Sequence, residues 1–380
     1  MSALDGAGMR VAIVTESFLP QVNGVANSVR HVAEQLVRQG HQPLVVAPGH
    51  GPDHYLGIPV TRVRSVGLPG YRAFPLGLPD AALERALADF GPDVVHLASP
   101  IVVGAAGLRA ARRLGVPTVA VYQTDIAGFA RQYGVRAEVL LDRWVGRLHR
   151  KADRTLVPSH SSYRQLAALG VPDLHLWRRG VSLDLFDPSR RDQERHATLS
   201  HDGRDVLVGY VGRLAAEKQV RRLAEIAGIP GTRLVVVGEG PERSWLGRHL
   251  PGAHFSGQLG GTHLATAFAS LDVFVHPGTS ETFCQTVQEA QASGVPVVAA
   301  AAGGPLDLVE HGRTGLLFDP EDRFSLWRTV TAAVRDADLR SRMAAAAHAK
   351  VQDRTWPIVV EDLVERHYRA VLDQRRLAIA

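Results

Sequence analysis

Along the chain, short runs of β-branched and aliphatic residues alternate with longer stretches whose apolar positions recur at the period of a helix. In the first half, residues 11–15, 44–47, 94–97, 118–122 and 155–157 read as strands, and residues 26–39, closed by Gly40, read as a helix. The pattern starts afresh at residues 206–211 and continues through 234–237, 273–276, 295–300 and 316–318. Strands and helices alternating in this way predict parallel sheets built from βαβ crossovers, an α/β fold throughout. Between the two series, residues 179–195 hold Gly180, Pro188 and a dense Arg/Asp run, and a linker is expected there. The expected division is two Rossmann-like doubly wound domains, residues 1–182 and 183–355. A helical, Arg- and Leu-rich segment at 356–380 suits packing back across the first domain. Doubly wound sheets bind ligands outside the carboxyl ends of their strands, so the natural active site is the cleft between two such domains.

The length of 380 residues agrees with two domains rather than one core. Apolar residues make up 45% and charged residues 21%, and no apolar run approaches the roughly 18–20 residues that a membrane span needs. The first residues show no basic region ahead of an apolar stretch, so a cytoplasmic location is expected. A single cysteine, Cys284, excludes an internal disulfide and a cysteine-based metal cluster. The net charge of +5 is unevenly spread. Residues 1–180 carry 20 basic and 13 acidic side chains, net +7, and the remainder carry 23 and 25, net −2. The basic half lacks the interleaved aromatic platforms of single-strand nucleic-acid binders, which points to an anionic small molecule or membrane surface and away from nucleic acid. Only three of the 43 basic residues are lysine, Lys151, Lys218 and Lys350, so a lysine at a motif position stands out.

Four stretches at strand ends carry candidate chemistry. After the first strand, residues 16–25 make a turn running into a helix, where Gly24 lets backbone approach an anion. After the first strand of the second half, Arg213 and Lys218 sit five apart, an arginine fork and a compact ammonium able to converge on one diphosphate. In residues 277–294, Glu281 lies in a loop, a helix is expected to start near Thr282 to Gln285, and Glu289 falls two turns on. The two carboxylates suit sugar and ribose hydroxyls, and the free amides of the helix start suit a phosphate. Residues 122–125 hold Gln123 and Asp125, the latter either a catalytic carboxylate or the cap of the next helix. Other signals fail. Arg243 replaces the third glycine of a dinucleotide fingerprint at 238–243, there is no Walker lysine motif, and 17 histidines include no HExxH. No metal is indicated.

The Glu281-to-Glu289 spacing, followed by Ala290-Gln-Ala-Ser-Gly-Val-Pro296 and Gly303-Gly-Pro-Leu-Asp-Leu-Val309, together with Gly212-Arg-Leu and Glu217-Lys218, resembles the retaining glycosyltransferases of family 4. Residues 15–25 and 122–125 are most similar to the GDP-mannose-dependent α-mannosyltransferases of that family that act on lipid or glycolipid acceptors, with sulfoquinovosyldiacylglycerol synthases as near neighbours. The resemblance implies a glycosyltransferase-B fold with the nucleotide sugar held mainly by the second domain. It implies that Arg213 and Lys218 bind the diphosphate, Glu281 the transferred sugar and Glu289 the ribose. Phe283 and Cys284 offer backbone amides, Gly24 closes against the diphosphate, and the base rests near Gly257–Leu259. It places Asp125 among the catalytic residues and Gln123 at a sugar contact, and it implies no bound metal. Gln123 stands where many members have histidine, so it donates a hydrogen bond but shuttles no proton. Gln291 replaces a usual methionine without consequence for the chemistry.

The expected reaction is transfer of a hexose, mannose from GDP-mannose foremost, with retention of configuration and with a phosphate oxygen of the leaving group taking the acceptor's proton. A UDP-sugar-dependent glucosyl or sulfoquinovosyl transferase, a non-hydrolysing sugar-nucleotide epimerase, a glycosidase and a non-catalytic nucleotide-binding module remain as alternatives. Residues 136–154 set Trp144, Val145 and Leu148 beside Arg143, Arg147, Arg150 and Lys151. They read either as an interfacial helix, which would make the protein peripheral at the inner face of the membrane, or as a core helix facing the sheet.

Overall fold

The first strand, β1 (Arg10–Thr15), is buried along its last five residues. A strand apolar on both faces is what a parallel sheet covered by helices on both sides requires. In a computed structural model describing residues 8–68, 71–77, 81–132 and 137–379, β1 lies at the centre of such a sheet. Chain order runs on through α1 (Gly24–Arg38), β2 (Gln42–Pro48), β3 (His54–Tyr55), β4 (Ile58–Val63), the hairpin β5 (Ser65–Leu68) and β6 (Tyr71–Gly77), and α2 (Ala81–Phe90). It continues through β7 (Val94–Ala98), α3 (Val103–Leu114), β8 (Thr118–Val121), α4 (Ile126–Gln132), α5 (Glu138–His149), β9 (Arg154–Val157), α6 (His160–Ala168) and β10 (Leu174–Leu176). The sheet order is β10-β9-β8-β7-β1-β2-β4-β3, parallel except for β3. Val29, Val32 and Leu36 of α1 pack with Val11 and Ile13 on one face, and Leu108 and Ala111 of α3 pack with Ala12 and Val14 on the other.

The second sheet repeats the plan. It contains β11 (Val206–Val211), β12 (Thr232–Val237), β13 (His254–Gly257), β14 (Val273–His276), β15 (Val297–Ala300) and β16 (Gly315–Phe318), in the order β13-β12-β11-β14-β15-β16 and wholly parallel. Its helices include α7 (Gln193–Leu199), α8 (Arg243–His249), α9 (Gly261–Ala269) and α10 (Gln285–Ala292).

The chain divides into two units. Unit 1 holds the residues up to Ala127, Ala137–Arg179 and those from Trp356 on; unit 2 holds Gly180–Thr355 with the short stretch from Gly128. Residues 179–195 are not slack linker. Val181 and Phe186 are buried in the unit 2 core, Val181 bridges Thr355, and Asp192 caps α7 through the amide of Arg195. The helical turns from Trp356 belong to the core of unit 1, where Trp356, Val360, Leu363 and Tyr368 are buried, each such large side chain contributing about 1.5–3 kcal/mol of transfer free energy. His31 stacks on Trp356 at a centroid distance of 4.7 Å, and His96 Nδ1 lies 2.8 Å from Tyr368 Oη. Among the described residues no helix is long and apolar enough to cross a membrane.

Candidate active site

In unit 2 the strand order reverses between β11 and β14, the point at which a doubly wound sheet opens for a ligand. The loop after β11 carries Arg213 and then one 3-10 turn, Ala216–Lys218. Tyr210 Oη donates to the Arg213 carbonyl at 2.9 Å, and Arg213 Nη2 lies 3.4 Å from the buried Glu217 Oε1. Lys218 Nζ donates to Glu281 Oε1 at 2.6 Å, and Gln219 Nε2 donates to Thr279 Oγ1 at 2.6 Å. These two bonds tie the loop after β11 to the loop after β14. His276, the last residue of β14, places Nε2 3.0 Å from the same Glu281 oxygen. Both partners act on Oε1, which leaves Oε2 to accept from a ligand hydroxyl.

The electrostatics follow from that crowding. Burial opposes the charge on Glu281, but Lys218 and His276 outweigh it and hold the carboxyl well below the usual range. Burial alone would depress Lys218, yet the adjacent carboxylate raises it and keeps the ammonium charged. For His276, burial is again outweighed, here by the Cys284 sulfur and by Glu281, and its pKa is pushed up to about 10.

The Glu281 loop is held by close backbone packing. Gly304 N donates to the Glu281 carbonyl at 2.7 Å, and a Cβ on Gly304 would stand 2.1 Å from the Phe283 carbonyl oxygen, so only glycine fits. The side chain of Phe283 is core, buried in unit 2. The helix begins at Gln285, inside the expected window of Thr282 to Gln285, with Cys284 as its N-cap at φ 78°, a left-handed conformation, and with no side-chain cap bond. Glu289 lies in the second turn of α10, half-buried. Gly257 ends β13, its carbonyl accepting from Gly238 N at 2.7 Å, and Leu259 packs half-buried just beyond. A Cβ on Gly238 would lie 1.9 Å from the Gly212 carbonyl oxygen, and this glycine contact lets the ends of β11, β12 and β13 draw together.

The other candidates fall in unit 1. Gly24 opens α1 behind the N-cap Asn23, whose Oδ1 accepts from the amides of Val25 at 3.1 Å and Ala26 at 3.0 Å. Asp125 stands immediately before α4, its Oδ1 accepting from Gln165 Nε2 of α6 at 3.1 Å. Gln123 is buried, and its Oε1 accepts from Arg179 Nη2 at 2.8 Å. Because arginine only donates, this contact fixes the orientation of the amide and turns its NH2 away from Arg179 as a donor. Arg179 also donates through Nη1 to the Gly24 carbonyl at 3.3 Å, joining two of the sequence candidates.

Three residues here escaped sequence reading. Arg179 stood at the edge of the expected linker, and His276 read as the end of a strand. Glu16 lay in the first candidate loop without a role. Its buried carboxylate takes the amides of Ile101 at 2.7 Å, Val102 at 2.7 Å and Gly104 at 2.9 Å on Oε1, and that of Val103 at 3.2 Å on Oε2. Burial pushes this carboxyl up against the pull of the four donors. The 136–154 reading is corrected in part. Val145 and Leu148 of α5 are buried, and the exposed apolar residues are Val139 (62%), Leu140 (67%) and Trp144, the last donating through Nε1 to the Ile101 carbonyl at 2.9 Å.

Residues 22–185 match the profile of Glycosyltransferase Family 4, and residues 191–350 match that of Glycosyl transferases group 1. A GDP-mannose-dependent alpha-mannosyltransferase of Mycolicibacterium smegmatis is 51% identical over 380 residues, which cover 98% of this chain and 100% of that protein. Sulfoquinovosyl transferase SQD2 of Arabidopsis thaliana is 33% identical, over 96% of this chain and 74% of its own length. A sucrose-phosphate synthase from Thermosynechococcus elongatus shares the fold at a TM-score of 0.80 and 19% identity, over 98% of this chain and 100% of that one. Two parallel Rossmann-like sheets with this likeness make a glycosyltransferase-B fold, and the identity over nearly the whole length shows that the chain is a glycosyltransferase belonging to family 4.

Proposed function

We propose that this enzyme transfers mannose from GDP-mannose to a hydroxyl of a lipid or glycolipid acceptor, with retention of configuration and without a metal. The observation that carries the reading is Lys218 held against Glu281 at the switch point of unit 2, beside a helix start that no side chain caps. The 51% identical relative, named for GDP-mannose, supports the donor. In this reading Glu281 accepts from the sugar hydroxyls, Glu289 from the ribose, and Lys218, Arg213 and the amides at the start of α10 take the diphosphate. The bond from the anomeric carbon to the phosphate oxygen breaks, the bond to the acceptor oxygen forms on the same face, and a phosphate oxygen receives the acceptor's proton. The leaving group gains negative charge on the way to the transition state, so cations fixed beforehand stabilise that state more than the ground state. These cations supply the charge that a metal supplies elsewhere.

Unit 1 is assigned the acceptor, with Gln123 donating to a sugar hydroxyl. The outward face of α5, Val139, Leu140 and Trp144 among Arg143 and Arg147, suits an anionic bilayer at the cytoplasmic side and makes the enzyme peripheral. Assay of purified enzyme with a lipid extract and GDP-mannose, UDP-glucose or UDP-sulfoquinovose tests the donor. Mannose transfer is expected, and turnover of a uridine donor alone overturns the reading. Co-sedimentation with anionic but not neutral vesicles, lost in Leu140→Glu, is expected of α5.

A further inference from the structure

We propose that His276, Glu281 and Cys284 form a site for one zinc ion and that the bound ion shuts the donor-sugar subsite. His276 ends β14, Glu281 lies in the following loop, and Cys284 stands ahead of α10. Three backbone positions thus bring an imidazole nitrogen, a carboxylate oxygen and a sulfur within 4.8 Å of one another. Nitrogen, oxygen and sulfur together are the ligands that zinc takes from proteins. Bonds of ~2.0–2.3 Å to a tetrahedral ion set ligand atoms about 3.3–3.8 Å apart. The imidazole and carboxylate already stand 3.0 Å apart and the sulfur lies within 4.8 Å of both, so the adjustment falls mainly to the sulfur. The His276 side chain is only 3% exposed, which holds the imidazole where Nε2 meets Glu281.

Lys218 is the rival. Its ammonium holds Glu281 Oε1 at 2.6 Å, so ion and ammonium compete for one oxygen. On binding, Lys218 is displaced, the Cys284 thiol and the His276 imidazolium each give a proton to water, and three protein ligands leave one position for water, the pattern of an open zinc site. The site rests on geometry alone; its closure of the sugar subsite rests on Glu281 receiving the sugar, as proposed above.

Cobalt(II) serves as the probe, because thiolate ligation gives it a charge-transfer band. Full-length protein is expected to bind one equivalent with that band, which zinc abolishes by displacement. The band is expected to vanish in Cys284→Ser, and His276→Asn is expected to weaken binding at least about 10-fold, which provides a second variant if the first fails to fold. Lys218→Met, lacking the rival cation, is expected to bind at least about 10-fold more tightly, the scale of one close like charge. GDP-mannose is expected to weaken metal binding to the wild type by a similar factor. Absence of the band in the wild type, or equal affinity in the wild type and both ligand variants, overturns the site. A band that GDP-mannose leaves unchanged keeps the site and overturns the closure of the sugar subsite.

Discussion

The two units answer the same topological question with opposite charges. In unit 1, β1 lies between β2 and β7, and the helix after β7 is α3; in unit 2, β11 lies between β12 and β14, and the helix after β14 is α10. The loop after β1 sends an acid, Glu16, into the start of α3, where it takes four amides. The loop after β11 sends a lysine, Lys218, to the residues ahead of α10, whose N-cap side chain caps none of the helix amides. A helix start attracts anions. Unit 1 satisfies that attraction permanently with its own carboxylate, and unit 2 leaves it and adds a cation. The doubly wound fold provides two such places, and in the function proposed above the charge carried by the first loop decides which becomes structure and which becomes a binding site.

Substitutions on the two sides test this contrast. Lys218→Ala is expected to lower the transfer rate about 10²–10³-fold, roughly 3–4 kcal/mol, with the thermal midpoint near that of the wild type. Steady-state turnover with GDP-mannose reads it. Glu16→Ala strands several buried amides and is expected to cost about 3 kcal/mol of unfolding free energy in urea, with GDP affinity unchanged. A Glu16 variant that loses GDP binding but not stability breaks the comparison. Arg179→Ala frees Gln123 and the Gly24 carbonyl, and a rate loss of about 10-fold is expected. Combined with Gln123→Ala it should add little, because the two act through one contact; full additivity removes Arg179 as a positioning residue.

The smallest effect concerns Asp272, just ahead of β14 and therefore at the sheet's opposite end. Burial raises its carboxyl, but the amide of Leu207 at 2.9 Å, His196 and Arg191 outweigh burial and lower the pKa below the ordinary value. A carboxyl depressed in the folded state contributes stability above its unfolded pKa and loses it as pH falls through the folded value. Urea midpoints measured from pH 5 down to about 3 should fall, and Asp272→Asn should flatten that limb by on the order of 1 kcal/mol.

Much of the frame was legible because continuous apolar runs and glycine stops are local signals. Residues 206–211 and 273–276 are strands as read, and α1 starts two residues before the expected 26 because Asn23 caps it. The strands β3, β10 and β13 at sheet edges, and β4 next to one, were not read. They are short or half-exposed, so pairing rather than composition defines them. At the site, Lys218 and Glu281 were legible through lysine scarcity and loop position, and their direct bond was not. The separation of 63 positions between them closes only in three dimensions. Glu16, Arg179 and His276 each act through a partner distant in sequence or across a loop, and no spacing rule marks such a contact.

In the proposed function the anion site of unit 2 is open, and that of unit 1 is filled by Glu16. Calorimetric titration of GDP into the wild type, Lys218→Ala and Glu16→Asp tests it most directly. One GDP per chain is expected, with an affinity at least about 10-fold weaker in Lys218→Ala, in keeping with the loss of one close charge pair, and no change in Glu16→Asp. Unaltered affinity in Lys218→Ala, or loss of binding in a folded Glu16→Asp, would contradict it.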